Sequence, residues 1–398
     1  MTNRAGRPPL RVVFITTSMY VGGAETLLIN LMRRMDRQRY AVELVCLKEA
    51  GPLGEEAARE FPVAANLIAN KWDLRILPRL VRHLQRLQAD AVITVGAGDK
   101  MFWGRLAARL CRVPAVCSAL HSTGWPDEVG RLNRCLTPLT DAFIGVADAQ
   151  SQYLVEAYGF PRQRVHTIYN GVDTERFTPR DGVHVRRELG LDVNAPVVSI
   201  VAALRPEKNH EMFLQGAARL AERFPAARFL VIGDGPRRAD LERLAIDLGV
   251  AEKTLFLGSR SDVPELLNAT DVLALTSHNE ASPVSILEAL SAGCAVASAD
   301  VGSVGETVVD GSTGRLFSAG DLDGFIACCS ELLERPDERR RLAAAGRSRV
   351  VEQWSLDSMV RGYEQLISQI HAANAPIRGK QRFKKWRGIP RWAKATTQ

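Results

Sequence analysis

Short runs of Val, Ile and Ala alternate along the chain with segments whose apolar residues recur every three or four positions. The first half offers the runs Arg11–Thr16, Val42–Cys46, Ala91–Val95, Ala115–Ser118 and Ala142–Val146. Amphipathic stretches such as Glu25–Met35, Pro78–Leu87 and Phe102–Leu110 lie between them. Continuous apolar runs suit strands buried on both faces, and the intervening helices suit the crossovers of a parallel sheet. The rhythm restarts at Val197–Val201 and continues through Phe229–Ile232, Thr254–Leu257, Val272–Leu275 and Ala295–Ala297. Two doubly wound α/β domains follow, joined through Asn170–Leu191, where Pro179, Gly182 and Gly190 interrupt regular structure. After Gly314 the pattern is helical only: Asp321–Leu333, Pro336–Gln353 and Leu356–Ala373. The last puts Met359, Tyr363, Leu366, Ile367 and Ile370 on one face, which must dock on another element.

Charge adds a feature that periodicity does not show. The net charge is +7, from 52 Lys and Arg against 45 Asp and Glu. Residues 375–398 hold eight of those bases and no acid, interleaved with Phe383, Trp386 and Trp392, so the body is near neutral. That balance does not suggest a nucleic-acid-binding body, and no nucleic acid is expected as a partner. The tail reads as a contact for an anionic membrane surface, with a disordered segment or a contact for RNA or a protein partner as the alternatives. Arg75, Arg79, Arg82 and Arg86 add a basic helical stripe. The seven cysteines are odd in number and lack C-x-x-C spacing, which suits a reducing compartment. The apolar run Val12–Ile15 is too short for a signal-peptide core, and no stretch approaches the roughly 20 apolar residues of a membrane span. A cytoplasmic protein, peripheral at most, is expected.

Several motifs follow strands, where open α/β sheets bind ligands. EASPVSILE, Glu280–Glu288, enters a helix: Ser282 is placed as its N-cap and Pro283 in its first turn. The amides of Val284, Ser285 and Ile286 at that helix start suit a diphosphate, with Glu288 within reach of ribose hydroxyls. Arg205 and Lys208, in LRPEKNH, leave the first strand of the second half and suit diphosphate clamping. IGDGP (Ile232–Pro236) and the glycine turn Gly22–Gly23 of VGGAE allow close backbone approach. His121 follows a strand, and YNGVD (Tyr169–Asp173) reads as a tight turn. Asp321 and Asp323 imitate a metal-binding pair but suit a helix cap better. HExxH, G-x-S-x-G and zinc spacings are absent from the sequence.

In their order, these segments resemble the retaining glycosyltransferases of family 4, with the block Phe256–Glu306 and its paired Glu280 and Glu288 the most specific part. The resemblance implies a GT-B fold: two Rossmann-like domains facing a cleft, with a C-terminal helix returning to the first. It places an acceptor-side domain at residues 1–180, a nucleotide-sugar domain at 181–354, the crossover helix at 355–374 and the tail at 375–398. It implies that Arg205 and Lys208 hold the donor diphosphate and that Glu288 binds the ribose. Glu280, with the amides of Ala281, Ser282 and Val284, would hold the donor sugar. Gly22 and Gly23 would approach the diphosphate or the acceptor from the first domain, and His121 would line the reaction centre near the donor sugar. No metal or cofactor is implied. The substrates would be a UDP- or GDP-sugar and a glycan or lipid-linked acceptor, as in cell-surface polysaccharide synthesis; the alternatives are another GT-B enzyme, a sugar-nucleotide epimerase or a metabolic glucosyltransferase, and a non-catalytic nucleotide-sugar-binding scaffold. Ala281 and Ser282 replace the family's usual glycine and aromatic, Leu204 a glycine, and Ala147 a serine.

Overall fold

The computed structural model describes residues 8–68, 73–96, 99–121 and 135–375. The first sheet holds β1 (Leu10–Thr16), β2 (Tyr40–Cys46), β3 (Val63–Ala64), β4 (Ala91–Val95), β5 (Ala115–Leu120), β6 (Ala142–Gly145) and β7 (Val165–Thr167). Their order is β3-β2-β1-β4-β5-β6-β7, and every pairing is parallel. The second sheet holds β8 (Val197–Val201), β9 (Arg228–Ile232), β10 (Thr254–Gly258), β11 (Val272–Leu275), β12 (Ala295–Ala299) and β13 (Arg315–Phe317). It runs β10-β9-β8-β11-β12-β13, again all parallel.

The first sheet is covered on both faces. Val12 and Phe14 of β1 point into one core, with Leu27, Leu31, Met359 and Tyr363 from the helices Gly23–Arg34 and Leu356–Asn374. Val13 and Ile15 point into the other, with Ile76, Leu80 and Leu84 from the helix Ile76–Leu87. This is why the strands read as unbroken apolar runs. In the basic stripe on that last helix, Arg79 is drawn to Asp73 (3.0 Å) and the Leu67 carbonyl (2.7 Å), while Arg75, Arg82 and Arg86 are exposed. The tail expected at 375–398 lies outside the described residues, Ala375 apart. Among the described residues, no helix is long and apolar enough to cross a membrane.

The chain crosses between the two cores twice. Ile168 packs in the first core, whereas Val172 and Phe177 pack in the second. The stretch 172–180, assigned above to the first domain, therefore sits on the second, because its two large apolar side chains fill that core. On the return, Trp354 belongs to the second core and Leu356 to the first. The two crossings are bonded together: Val172 N donates to the Trp354 carbonyl at 2.9 Å, and Leu356 N to the Val172 carbonyl at 2.8 Å. Ser355 then caps the helix Leu356–Asn374, accepting from Ser358 N, and the helix docks on the first sheet as its apolar face requires.

Candidate active site

In each sheet the strand order reverses at one point, between β1 and β4 and between β8 and β11. Loops leaving the carboxyl ends of those strands part there and open a crevice. The chemistry-bearing residues gather at these two places.

In the second sheet, the loop after β8 makes one tight turn over Pro206–Lys208. Thr276, just beyond β11, fixes it by donating to the Asn209 carbonyl at 2.8 Å. Lys208 Nζ thereby reaches Glu280 Oε1 at 2.5 Å, and Ser277 Oγ donates to the same oxygen at 2.7 Å. Glu280 is only 7% exposed, and these two partners fix the position of its buried Oε1. Arg205 is exposed at the turn's start and, among the described residues, has no carboxylate in ion-pair range. His210 is buried beside the turn; burial pushes its imidazole down to about 4, so it is neutral near pH 7.

The helix after β11 runs Val284–Ser291. Pro283, in extended conformation, is its N-cap, and no side chain caps it. The expected cap at Ser282 is thus displaced by one residue. The Ser282 carbonyl accepts from Asn170 Nδ2 at 3.1 Å, which keeps the chain extended through Pro283. The amides of Val284 and Ser285 open the helix, where no intrahelical carbonyl can reach them. The Ile286 amide, expected to face outward, instead donates to the Pro283 carbonyl at 3.2 Å. Glu288 is half-buried; burial pushes its carboxyl up to about 7, with Arg176 pulling it back. Arg176 also donates to the Ser261 carbonyl at 2.8 Å, so the linker borders this site.

The Glu280 loop is held from behind by residues to which the sequence reading gave no role. Ser303 Oγ donates to the Ala281 carbonyl. Gly302 lies so close that a Cβ there would run into the Glu280 carbonyl oxygen, and its φ of +56° is one that L side chains rarely adopt.

Across the cleft, Gly22 is the extended N-cap of the helix Gly23–Arg34. Thr16, Glu25, Val95, Gly96 and His121 line a small pocket beside it, at the ends of β1, β4 and β5. A Cβ on Gly23 would lie 3.7 Å from Val284 Cγ2, so the glycine turn abuts the start of the second-domain helix. A second bridge is polar. Glu306 of the second domain accepts from the amides of Asp148 (3.0 Å) and Ala149 (2.6 Å), at the N-terminus of the first-domain helix Asp148–Glu156. The fold thus brings Arg205, Lys208, Glu280, Ala281, Ser282, Val284 and Glu288 to one crevice and sets Gly22, Gly23 and His121 on the facing domain. Among the described residues, no group of three His, Cys, Asp or Glu side chains could hold a metal ion. Asp321 caps its own helix, accepting from Gly324 N at 2.9 Å.

Two family patterns match the chain. Residues 21–176 match Glycosyltransferase Family 4, and residues 184–349 match Glycosyl transferases group 1. Among characterised relatives, the chain is 27% identical over 335 residues to the UDP-Gal:alpha-D-GlcNAc-diphosphoundecaprenol alpha-1,3-galactosyltransferase of Escherichia coli. That match covers 80% of this chain and 86% of the relative. It is 29% identical to the D-inositol 3-phosphate glycosyltransferase of Nocardia farcinica over 65% of this chain, and spans 61% of that relative's length. Among solved structures, the Anabaena protein HepE in complex with UDP and glucose superposes with a TM-score of 0.80 at 21% identity, covering 90% of this chain and all of that one.

Proposed function

This chain belongs to the family-4 glycosyltransferases, and on that premise we propose that it moves a sugar, with retention of anomeric configuration and without a metal or other cofactor, from a nucleoside-diphosphate sugar to a glycan or lipid-linked acceptor. The observation that carries the reading is the convergence of Lys208, Ser277 and Glu280 with exposed Arg205 at the second sheet's order reversal. Arg205 and Lys208 take the diphosphate, together with the open amides of Val284 and Ser285. Glu288 accepts from the ribose hydroxyls, and Glu280, with the backbone of Ala281 and Ser282, holds the sugar. The acceptor lies on the first domain, from which Gly22 and Gly23 approach the diphosphate or the acceptor and His121 lines the reaction centre near the donor sugar.

As the bond from the anomeric carbon to the diphosphate oxygen breaks, the acceptor oxygen bonds to that carbon on the same face. Its proton passes to the departing phosphate oxygen. Charge developing on the leaving group is met by Lys208, Arg205 and the helix N-terminus, which do the work a metal does elsewhere.

The E. coli relative, whose name gives a UDP-sugar donor and a diphosphoundecaprenol-linked acceptor, supports a UDP-sugar and a lipid-linked acceptor for this chain too. The basic, tryptophan-bearing tail supports a site of action at the cytoplasmic face of a membrane, in cell-surface polysaccharide synthesis. The Nocardia relative favours a second reading, a soluble phosphorylated acceptor. The test is a panel of UDP-glucose, UDP-galactose, UDP-N-acetylglucosamine and GDP-mannose, each offered with an undecaprenyl-diphosphate-linked sugar or with inositol phosphate. Nucleoside diphosphate release that depends on the lipid-linked acceptor, unaffected by chelator, with an α-configured product by proton NMR, is expected. Release in no combination overturns the reading, and an inverted product overturns the mechanism.

A further inference from the structure

We infer that Asn170, at the N-G turn between the two cores, is a positioning residue that ties the Glu280 loop to the hinge. The inference rests on reading that loop as the sugar-holding side of the donor site. Asn170 stands where the chain changes domains, two residues after Ile168 of the first core and two before Val172 of the second. Its Nδ2 donates to the Ser282 carbonyl at 3.1 Å. A carbonyl only accepts, so the amide nitrogen must face it, and Oδ1 is turned the other way. That oxygen is buried without a hydrogen-bond partner, in a residue 4% exposed. Native proteins rarely keep such an atom without a reason. Here the reason is the bond that the other end of the same amide makes.

Two successive carbonyls of the E-A-S-P loop are thereby gripped from different sides. Ser303, within the second domain, holds that of Ala281; Asn170, at the hinge, holds that of Ser282. Pro283 has no amide hydrogen with which to secure the loop itself. The hinge side of this link is stiff. A Cβ on Gly171 would lie 2.7 Å from Leu356 Cα, and the two crossings are bonded to each other around Val172. A rotation of the domains must therefore move the Ser282 carbonyl or break its bond to Asn170. Closure of the cleft and placement of the sugar-holding loop are coupled through one side-chain amide.

The test compares wild type with Asn170→Asp, which keeps the volume but turns an acceptor towards the carbonyl, and with Asn170→Ser. UDP binding, kcat and KM with the fastest donor of the panel, and small-angle scattering with and without UDP are measured. Arg205, Lys208 and Glu288 are untouched and only the lead-in to the Val284 and Ser285 amides is loosened, so UDP affinity falls by less than kcat does. kcat falls by about 10²-fold, the scale expected when a reacting group is misplaced by about 1 Å. Compaction on adding UDP is lost. Hydrogen exchange of residues 280–288 without nucleotide, which needs no catalysis, is faster in both variants. Unchanged exchange overturns the proposal, as does wild-type kcat with normal compaction. Near-ultraviolet circular dichroism identifies a variant that misfolds, in which case the other decides. A wild type that turns over no nucleotide sugar defeats the functional reading, while the exchange result still judges the link.

Discussion

Lys208 Nζ and Glu280 Oε1 stand 2.5 Å apart, one reaching from the loop after β8 and the other from the loop after β11, across the point where the strand order reverses. Each is half of a pair here, yet each is assigned a different part of the donor. Lys208→Ala should lower kcat by about 10²–10³-fold, the usual loss for a charge aimed at a developing anion. Glu280→Ala should lower it comparably, by loosening the sugar and leaving Lys208 without its carboxylate. The double variant should be no worse than the poorer single one, because residues that act as one unit are not additive. Initial rates of nucleoside diphosphate release check this; near-normal turnover in Lys208→Ala rejects its role.

Much of that geometry is legible in the sequence, and the rest is not, for a physical reason. Strands buried on both faces announce themselves as apolar runs, so β1, β2, β4 and the central strands of the second sheet are visible. The edge strands β3, β7 and β13 have two or three residues each, too few for any period to register. Lys208 and Glu280 carry charge next to strand ends, which is a readable signal. Ser303, Gly302 and Asn170 act through backbone atoms of other segments. Small polar residues and glycines in loops look alike whether or not a carbonyl lies across from them. The shift of the helix start from Pro283 to Val284 has the same origin, since it depends on a partner 112 positions away.

Gly302 supports Glu280 by what it lacks. Gly302→Ala must either move the Glu280 backbone or abandon its φ of +56°. We expect a lower melting temperature and a kcat reduced about tenfold or more, by misplacement of the sugar contact. Ser303→Ala removes one hydrogen bond to the Ala281 carbonyl without a clash and should cost less on both counts. Thermal melts beside initial rates check the order; equal losses in the two variants contradict it.

Glu306 links the domains by placing a carboxylate on the N-terminus of the helix Asp148–Glu156, where two amides and the helix dipole favour it. Glu306→Ala leaves that helix end without its cap and removes the bridge. The radius of gyration should rise relative to wild type in the absence of nucleotide, with little change in the melting of either domain core. Small-angle scattering reads this directly, and an unchanged profile rules out a bridging role.

The basic tail should matter for where the protein sits and not for its chemistry. Each Lys or Arg near an anionic surface is worth about 1 kcal/mol before ordering costs, and Trp386 and Trp392 favour the interfacial layer. A chain ending at Asn374 should lose sedimentation with vesicles containing anionic lipid while keeping its turnover on a soluble acceptor analogue. Equal sedimentation of both chains removes the tail from the account and leaves Arg75, Arg82 and Arg86 to be tested.

Glu288 gives the site a pH dependence whose sign follows from its burial. Its carboxyl is pushed up from 4.5 to about 7, so between those values the folded chain holds a proton that the unfolded chain has released. Folding stability from this group therefore falls as pH rises from about 4.5 to about 7, and is flat above and below. Glu288→Gln removes the slope: its melting temperature should exceed that of wild type at pH 8 and match it at pH 5. Donor binding runs the other way. Ribose hydroxyls donate to the ionised carboxylate and favour it, so UDP should bind more tightly as pH rises through 7, releasing a proton. Calorimetric titrations in two buffers of different ionisation enthalpy measure that release. Glu288→Gln should bind UDP more weakly and release no proton from this site, and proton release identical to wild type would show that Glu288 does not meet the ribose.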